Sequence, residues 1–176
     1  STCKLNVTNE ITIEASGIAT IEGIIINDFQ DNNTATIEIS ASSLGDYEFS
    51  LDGVNYQDSN IFSNLNAGEY TVYVQDKKGC GIVFETFYIL DYPKYFTPNG
   101  DGYNDTWNIK NLDKRNLENS IITIFDRYEK LIKQVSGANE GWNGTFNGEI
   151  LPSTDYWFTI ELTNGKTIKG HFALKR

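Results

Sequence analysis

The chain of 176 residues has no methionine, one histidine, two cysteines and three prolines. The single histidine, His171, sits in Lys169-Gly170-His171-Phe172 with no Ser or Cys nucleophile motif beside it. That leaves nothing from which a Ser-His or Cys-His pair could be assembled, and His171 reads as a half-exposed strand residue. Two cysteines and one histidine do not supply a zinc set. Carboxylates are plentiful in the first half but scattered over turns and polar faces, as on a solvated surface, so no paired acid and base stands out and the chain reads as a non-enzyme. No apolar run approaches the roughly 20 residues that span a bilayer, and no charged-then-apolar leader opens the chain. Beginning at Ser1 without a Met anywhere, the sequence reads as a piece of a longer precursor whose signal peptide lay upstream.

Positive charge is scarce in one half only. Residues 1–91 hold 3 Lys/Arg against 14 Asp/Glu, a net of −11, whereas residues 92–176 hold 11 against 10, a net of +1. The acidic half repels phosphate backbones and the other lacks a basic stripe with interleaved aromatics, which argues against a nucleic-acid partner. Such a step, falling beside Asp91-Tyr92-Pro93, is what two separately assembled modules leave behind. The boundary is therefore set near Tyr92, giving modules 1–91 and 92–176, each just large enough to bury a core of its own.

Apolar residues alternate with polar ones at Ile37/Ile39/Ala41, Tyr47/Phe49/Leu51, Tyr70/Val72/Val74, Ile82/Phe84, Tyr156/Phe158/Ile160/Leu162 and Ile168/Phe172/Leu174. This period of two predicts strands. Turn chemistry falls between them at Asp52-Gly53, Asp76-Lys77-Lys78-Gly79, Asn147-Gly148 and Asn164-Gly165, the last suited to a type I′ hairpin. The expected fold is all-β, two consecutive antiparallel immunoglobulin-like β-sandwich domains, with Asn111 to Ser120 as the one helical turn. Cys3 and Cys80, at opposite ends of the first module, read either as one disulfide closing a long loop, which adds about 3 to 5 kcal/mol and suits an extracellular setting, or as two buried free thiols.

Two further sites are candidates. In Phe96-Thr97-Pro98-Asn99-Gly100-Asp101-Gly102-Tyr103-Asn104-Asp105, the side chains of Asn99, Asp101 and Asp105 with the Tyr103 carbonyl partly copy the alternating oxygens of a calcium loop. Thr97 and Asn108 stand where further acidic ligands belong, so a purely structural Asx-rich turn competes with calcium. The final strand, Thr167 to Lys175, presents Thr167, Lys169, His171, Lys175 and Arg176, either as a partner-binding sheet edge or as an ordinary edge blunted by charge.

The run Phe96 to Trp107 resembles the opening signature of the gliding motility-associated C-terminal domain, the type B sorting domain of the type IX secretion system. Three later blocks resemble that family in order: Ile124-Phe125-Asp126-Arg127-Tyr128-Glu129-Lys130-Leu131; Trp142-Asn143-Gly144-Thr145-Phe146-Asn147-Gly148 with Leu151-Pro152; and Tyr156-Trp157-Phe158 with Lys169 to Arg176. Glu129 departs from the Gly usual there, and Tyr128 from a frequent Trp. The first half resembles the immunoglobulin-like repeat modules of surface adhesins, through Tyr47-Glu48-Phe49-Ser50-Leu51-Asp52-Gly53, Ala67-Gly68-Glu69-Tyr70-Thr71-Val72 and Asp76-Lys77-Lys78-Gly79-Cys80, and the early Cys and late Gly-Cys of those modules agree with the disulfide. The resemblance implies a secreted or cell-surface protein, monomeric when isolated, read by the type IX machinery of the outer membrane, including a cognate outer-membrane partner protein for type B domains. The alternative for residues 1–91 is a carbohydrate-binding module with Tyr47, Tyr56 and Tyr73 as a sugar platform, although alternation places Tyr47 with Phe49 and Leu51 on one face, as core.

Overall fold

Alternation becomes strand at each place where the pattern predicts one. The computed structural model describes residues 15–137, 141–162 and 165–176. Its strands are β1 (Ile21–Asn27), β2 (Asn33–Ile39), β3 (Tyr47–Ser50), β4 (Ile61–Leu65), β5 (Gly68–Asp76), β6 (Ile82–Ile89), β7 (Tyr95–Phe96), β8 (Ile121–Phe125), β9 (Leu131–Ser136), β10 (Thr145–Phe146), β11 (Glu149–Ile150), β12 (Asp155–Glu161) and β13 (Thr167–Leu174). Among the described residues the helical content is one 3₁₀ turn, Asp113–Arg115, inside the predicted stretch and closed by Asn116 in the left-handed region at φ 54°. The protein is all-β. The first half forms two three-stranded sheets, ordered β1-β2-β4 and β3-β5-β6. The second forms a five-stranded sheet, β7-β13-β12-β8-β9, antiparallel except for the two-residue pairing of β7 with β13, which is parallel.

Contacts divide the chain into two compact units that interleave along the sequence. One holds residues up to Ile24 with Ile37–Asn60 and Thr71–Glu85; the other holds Ile25–Thr36, Ile61–Tyr70 and Thr86–Arg176. In the first, Ile37, Phe49, Val72 and Val74 are buried, with Phe49 facing Val74 across the β3–β5 pair.

The second unit is built on aromatic rings. Strand alternation sends Ile122 and Ile124 of β8, Tyr156, Phe158 and Ile160 of β12, and Phe172 and Leu174 of β13 to the buried face of the five-stranded sheet. Trp107 lies flat on Phe172, ring centroids 3.8 Å apart at 12°, and also meets Phe158 at 5.0 Å. Trp142 meets Tyr156 edge-on at 4.9 Å and Phe96 at 5.5 Å. Both tryptophans are almost wholly buried, so each indole N–H needs a partner: Trp107 Nε1 donates to the Pro93 carbonyl (2.8 Å) and Trp142 Nε1 to that of Thr145 (2.9 Å). Their backbones exchange two further hydrogen bonds of 2.9 Å, tying the opening signature to the Trp142 turn.

Turn residues behave as their chemistry dictates. Asn147 and Gly148, at φ 51° and 86°, form the two-residue loop between β10 and β11, with both in the left-handed region as a type I′ hairpin requires. Asn164 of the other predicted hairpin lies outside the described residues. Glu129 closes the β8–β9 connection at φ 61°, where a side chain bearing Cβ is disfavoured and Gly is not. Replacing it, Glu129→Gly, is expected to raise stability by about 1 kcal/mol, measured as the shift of the urea midpoint against a neutral control such as Glu149→Gln.

Candidate functional site

The loop following β7 closes around its own carboxylate. Gly100 and Gly102, at φ 81° and 88°, turn their N–H groups inward, a conformation open to them because they lack Cβ. Asp105 Oδ1 accepts from the backbone N–H groups of Asn99 (2.9 Å) and Gly100 (2.6 Å), and Oδ2 from that of Gly102 (2.7 Å). These backbone donors, Gly100 first and then Gly102, hold the Asp105 carboxyl below the usual carboxylate range. Asp101 Oδ1 accepts from Tyr103 N–H (2.7 Å) and Oδ2 from Asn99 Nδ2 (2.8 Å), while the Tyr103 carbonyl accepts from Thr97 Oγ1 (3.4 Å). The fold does bring the four calcium candidates together, but their oxygens already accept from donors within the loop. Among the described residues no group of three or more His, Cys, Asp or Glu side chains is arranged to hold a metal. The loop's hydrogen bonds are those of an Asx-rich turn.

The C-terminal candidates separate into two groups. Thr167, Lys169 and His171 point to the exposed face of the sheet, since Phe172 and Leu174 take the buried one. The register sets His171 beside Trp157 and then Phe125, Lys169 beside Thr159 and Thr123, and Thr167 beside Glu161 and Ile121. Trp157 keeps 41% of its surface exposed, with its ring 6.4 Å from that of His171. With Arg127 and Glu129 of the β8–β9 turn, these rings and Lys169 line an open concavity of about 640 Å³. At Gly170 a Cβ would stand 2.7 Å from a Phe158 ring atom and from the Tyr92 hydroxyl, so glycine lets β13 lie close against the core.

Lys175 and Arg176 lie elsewhere. Lys175 Nζ sits 4.5 Å from the centroid of Tyr95. The Arg176 guanidinium donates to the carbonyls of Leu151 and Gly144, and its backbone N–H to Ser153 Oγ at 3.0 Å, so it clamps the Trp142–Leu151 segment to the end of the chain. The expected free edge is also shorter than the strand: β7 pairs with Ala173 and Leu174, leaving Thr167 to His171 without a ladder partner on that side among the described residues.

Residues 90–174 match the CHU_C type IX secretion signal domain. That stretch belongs to this family. A signal domain of this kind marks its protein for secretion or for the cell surface, and no helix among the described residues is long and apolar enough to cross a membrane. No curated protein matches the chain. Solved structures that resemble it include dimeric latent PorU from Porphyromonas gingivalis, at 12% identity and TM-score 0.32 over 89% of this chain and 20% of that one. PorZ of the same organism, a surface component of its type IX secretion system, gives 16% identity and TM-score 0.37 over 90% and 23%. Tp47, a lipoprotein of Treponema pallidum, gives 8% and 0.31 over 91% and 51%. The chain thus spans from a fifth to half of these proteins.

The four sequence blocks fall within the matched stretch except for the last two residues, Lys175 and Arg176, and each supplies a buried ring or a turn described above. Trp157 belongs to the last of these blocks; an aromatic at an outward position between two buried ones is the sequence signal for an exposed apolar contact. In the first half, Cys80 is exposed, with its Sγ 2.8 Å from Ser16 Oγ, and Cys3 lies outside the described residues, as does any bond between them. Tyr47 shares a sheet face with Phe49 and donates to the Gly17 carbonyl (3.1 Å). Tyr73 pairs with Ser50 and so occupies the opposite face, where it contacts Phe84; Tyr47 and Tyr73 therefore form no common platform.

Because Asp105 is held below its unfolded value, its contribution to stability is complete above about pH 4 and is lost as pH falls through the depressed folded value. Asp105→Ala is expected to lower the melting temperature at pH 7 and to flatten its decline between pH 4 and 2. If the loop is an Asx-rich turn alone, millimolar calcium is expected to leave the wild-type melting temperature unchanged; a rise of several degrees, abolished by Asp105→Ala, would show a metal site there.

Proposed function

We propose that the chain is the C-terminal portion of a non-enzymatic cell-surface adhesin, with residues 1–91 as an adhesin-type module and residues 92–176 as the signal through which the type IX machinery exports it across the outer membrane. The match of residues 90–174 to the signal domain carries this reading. A cognate outer-membrane partner reads the outer face of the five-stranded sheet. Trp157 offers it an aromatic anchor of a type enriched among the residues that dominate recognition energy, with Lys169 and His171 beside it on the same face. The adjoining open edge from Thr167 to His171 is a template for an added strand. Arg176 and Lys175 support the fold of the domain rather than the contact, in keeping with the carbonyls and ring they engage. In the oxidising compartments crossed on export, Cys80 pairs with Cys3, a reading supported by the long loop the bond would close and by the extracellular setting.

A periplasmic reporter fused to residues 1–176, expressed in a bacterium with a type IX system, tests the proposal. Export of the fusion is expected, with about a tenfold loss for the pair Trp157→Ala and Lys169→Glu at an unchanged melting temperature. Retention of the unsubstituted fusion in the periplasm of a secreting strain would overturn it.

A further inference from the structure

The turn joining β1 to β2 has two features that its own strands do not explain. Phe29 adopts φ 62°, a region that a bulky side chain seldom enters, and Asp28 is a carboxylate only 3% exposed. Both are answered by residues far along the chain. Phe29 packs against the aromatic core of the signal domain. Asp28 Oδ2 pairs with the guanidinium of Arg115, in the 3₁₀ turn, and its Oδ1 lies 3.5 Å from Lys166 Nζ, just before β13. The turn itself is braced: buried Asn33 accepts from Gln30 N–H and donates to the Leu65 carbonyl, both at 2.9 Å, and Asn32 Oδ1 accepts from Asn64 N–H at 2.6 Å. All these residues belong to the second compact unit.

A carboxylate removed from water is costly unless its cations are in place, and removing one partner from such a cluster is strongly destabilising. The left-handed Phe29 is held only because something over-determines it, and the core it packs against does so. The arrangement therefore forms only when the β1–β2 turn, the 3₁₀ turn and the approach to β13 are folded together. We propose that Asp28 and Phe29 form a latch that completes the signal domain: the segment 90–174 reaches its native stability only with the β1–β2 turn, far upstream in the chain, seated on it, so an export signal lacking this turn is incompletely folded. The export consequence rests on the function proposed above; the dependence of segment 90–174 on the β1–β2 turn does not.

Hydrogen exchange on the full chain, read by mass spectrometry, tests the latch with Asp28→Asn, Phe29→Gly and the exposed β1 control Glu22→Gln. Asp28→Asn is expected to speed exchange of β12 and β13 amides by about tenfold or more while β3 and β5 amides remain protected. Phe29→Gly is the sharper variant, because glycine relieves the unfavourable φ: if the ring had no role, exchange would slow or stay the same, whereas the latch predicts acceleration in β12 and β13. Effects confined to β1, β2 and β4, or no effect from either variant, would overturn the proposal. In the reporter assay, the Asp28→Asn fusion is expected to be exported less than the parent. A parent that is not exported at all would count against the functional reading alone, since exchange still decides the latch.

Discussion

The flat contact between Trp107 and Phe172 is the point on which the second unit hangs. One ring comes from the end of the opening signature and the other from the last strand, so the stack closes the domain on itself across some 65 residues of chain. An aromatic pair contributes about 0.5–1.5 kcal/mol beyond its buried area, but its larger effect here is positional. Trp107 also hydrogen-bonds through its backbone to Trp142 and through its indole to Pro93, so fixing this one side chain fixes the entry segment, the Trp142 turn and the buried face of β13 together.

That arrangement explains which parts of the fold could be read from the chain. The blocks that carried the family resemblance are the residues that line this core or turn the chain around it: Phe96 and Trp107, Trp142 with Asn147-Gly148, and Tyr156, Phe158 and Phe172. Their alternation and turn chemistry are local signals, and local signals predict strands and hairpins well. Asp28 and Phe29 were not legible, because an acidic residue before an aromatic in a polar turn looks like any surface turn. Its meaning depends on Arg115 and Lys166, which no periodicity connects to it. Arg176 shows the same limit. By sequence it belonged with the charged edge of the last strand, and only tertiary placement reveals the two carbonyls that its guanidinium engages.

The five-stranded sheet divides labour between its faces. Even-numbered positions of β8, β12 and β13 are committed to packing, and the intervening ones carry little structural obligation, as the exposed Trp157 and His171 illustrate. Substitution on the outer face can thus change the surface while the aromatic core keeps the fold. The edge residue Glu129 belongs to neither face. Its left-handed backbone is a small, local penalty tolerated where the domain meets solvent.

The loop built on Asp105 has a consequence for a travelling protein. A chain passing from the cell interior through the periplasm to the outside meets media that differ widely in their ions. A turn whose central anion is covalently part of the chain, and whose donors are its own amides, carries its organising charge with it. The entrance to the domain thus draws its order from the chain's own amides and carboxylate, and that order travels with the chain.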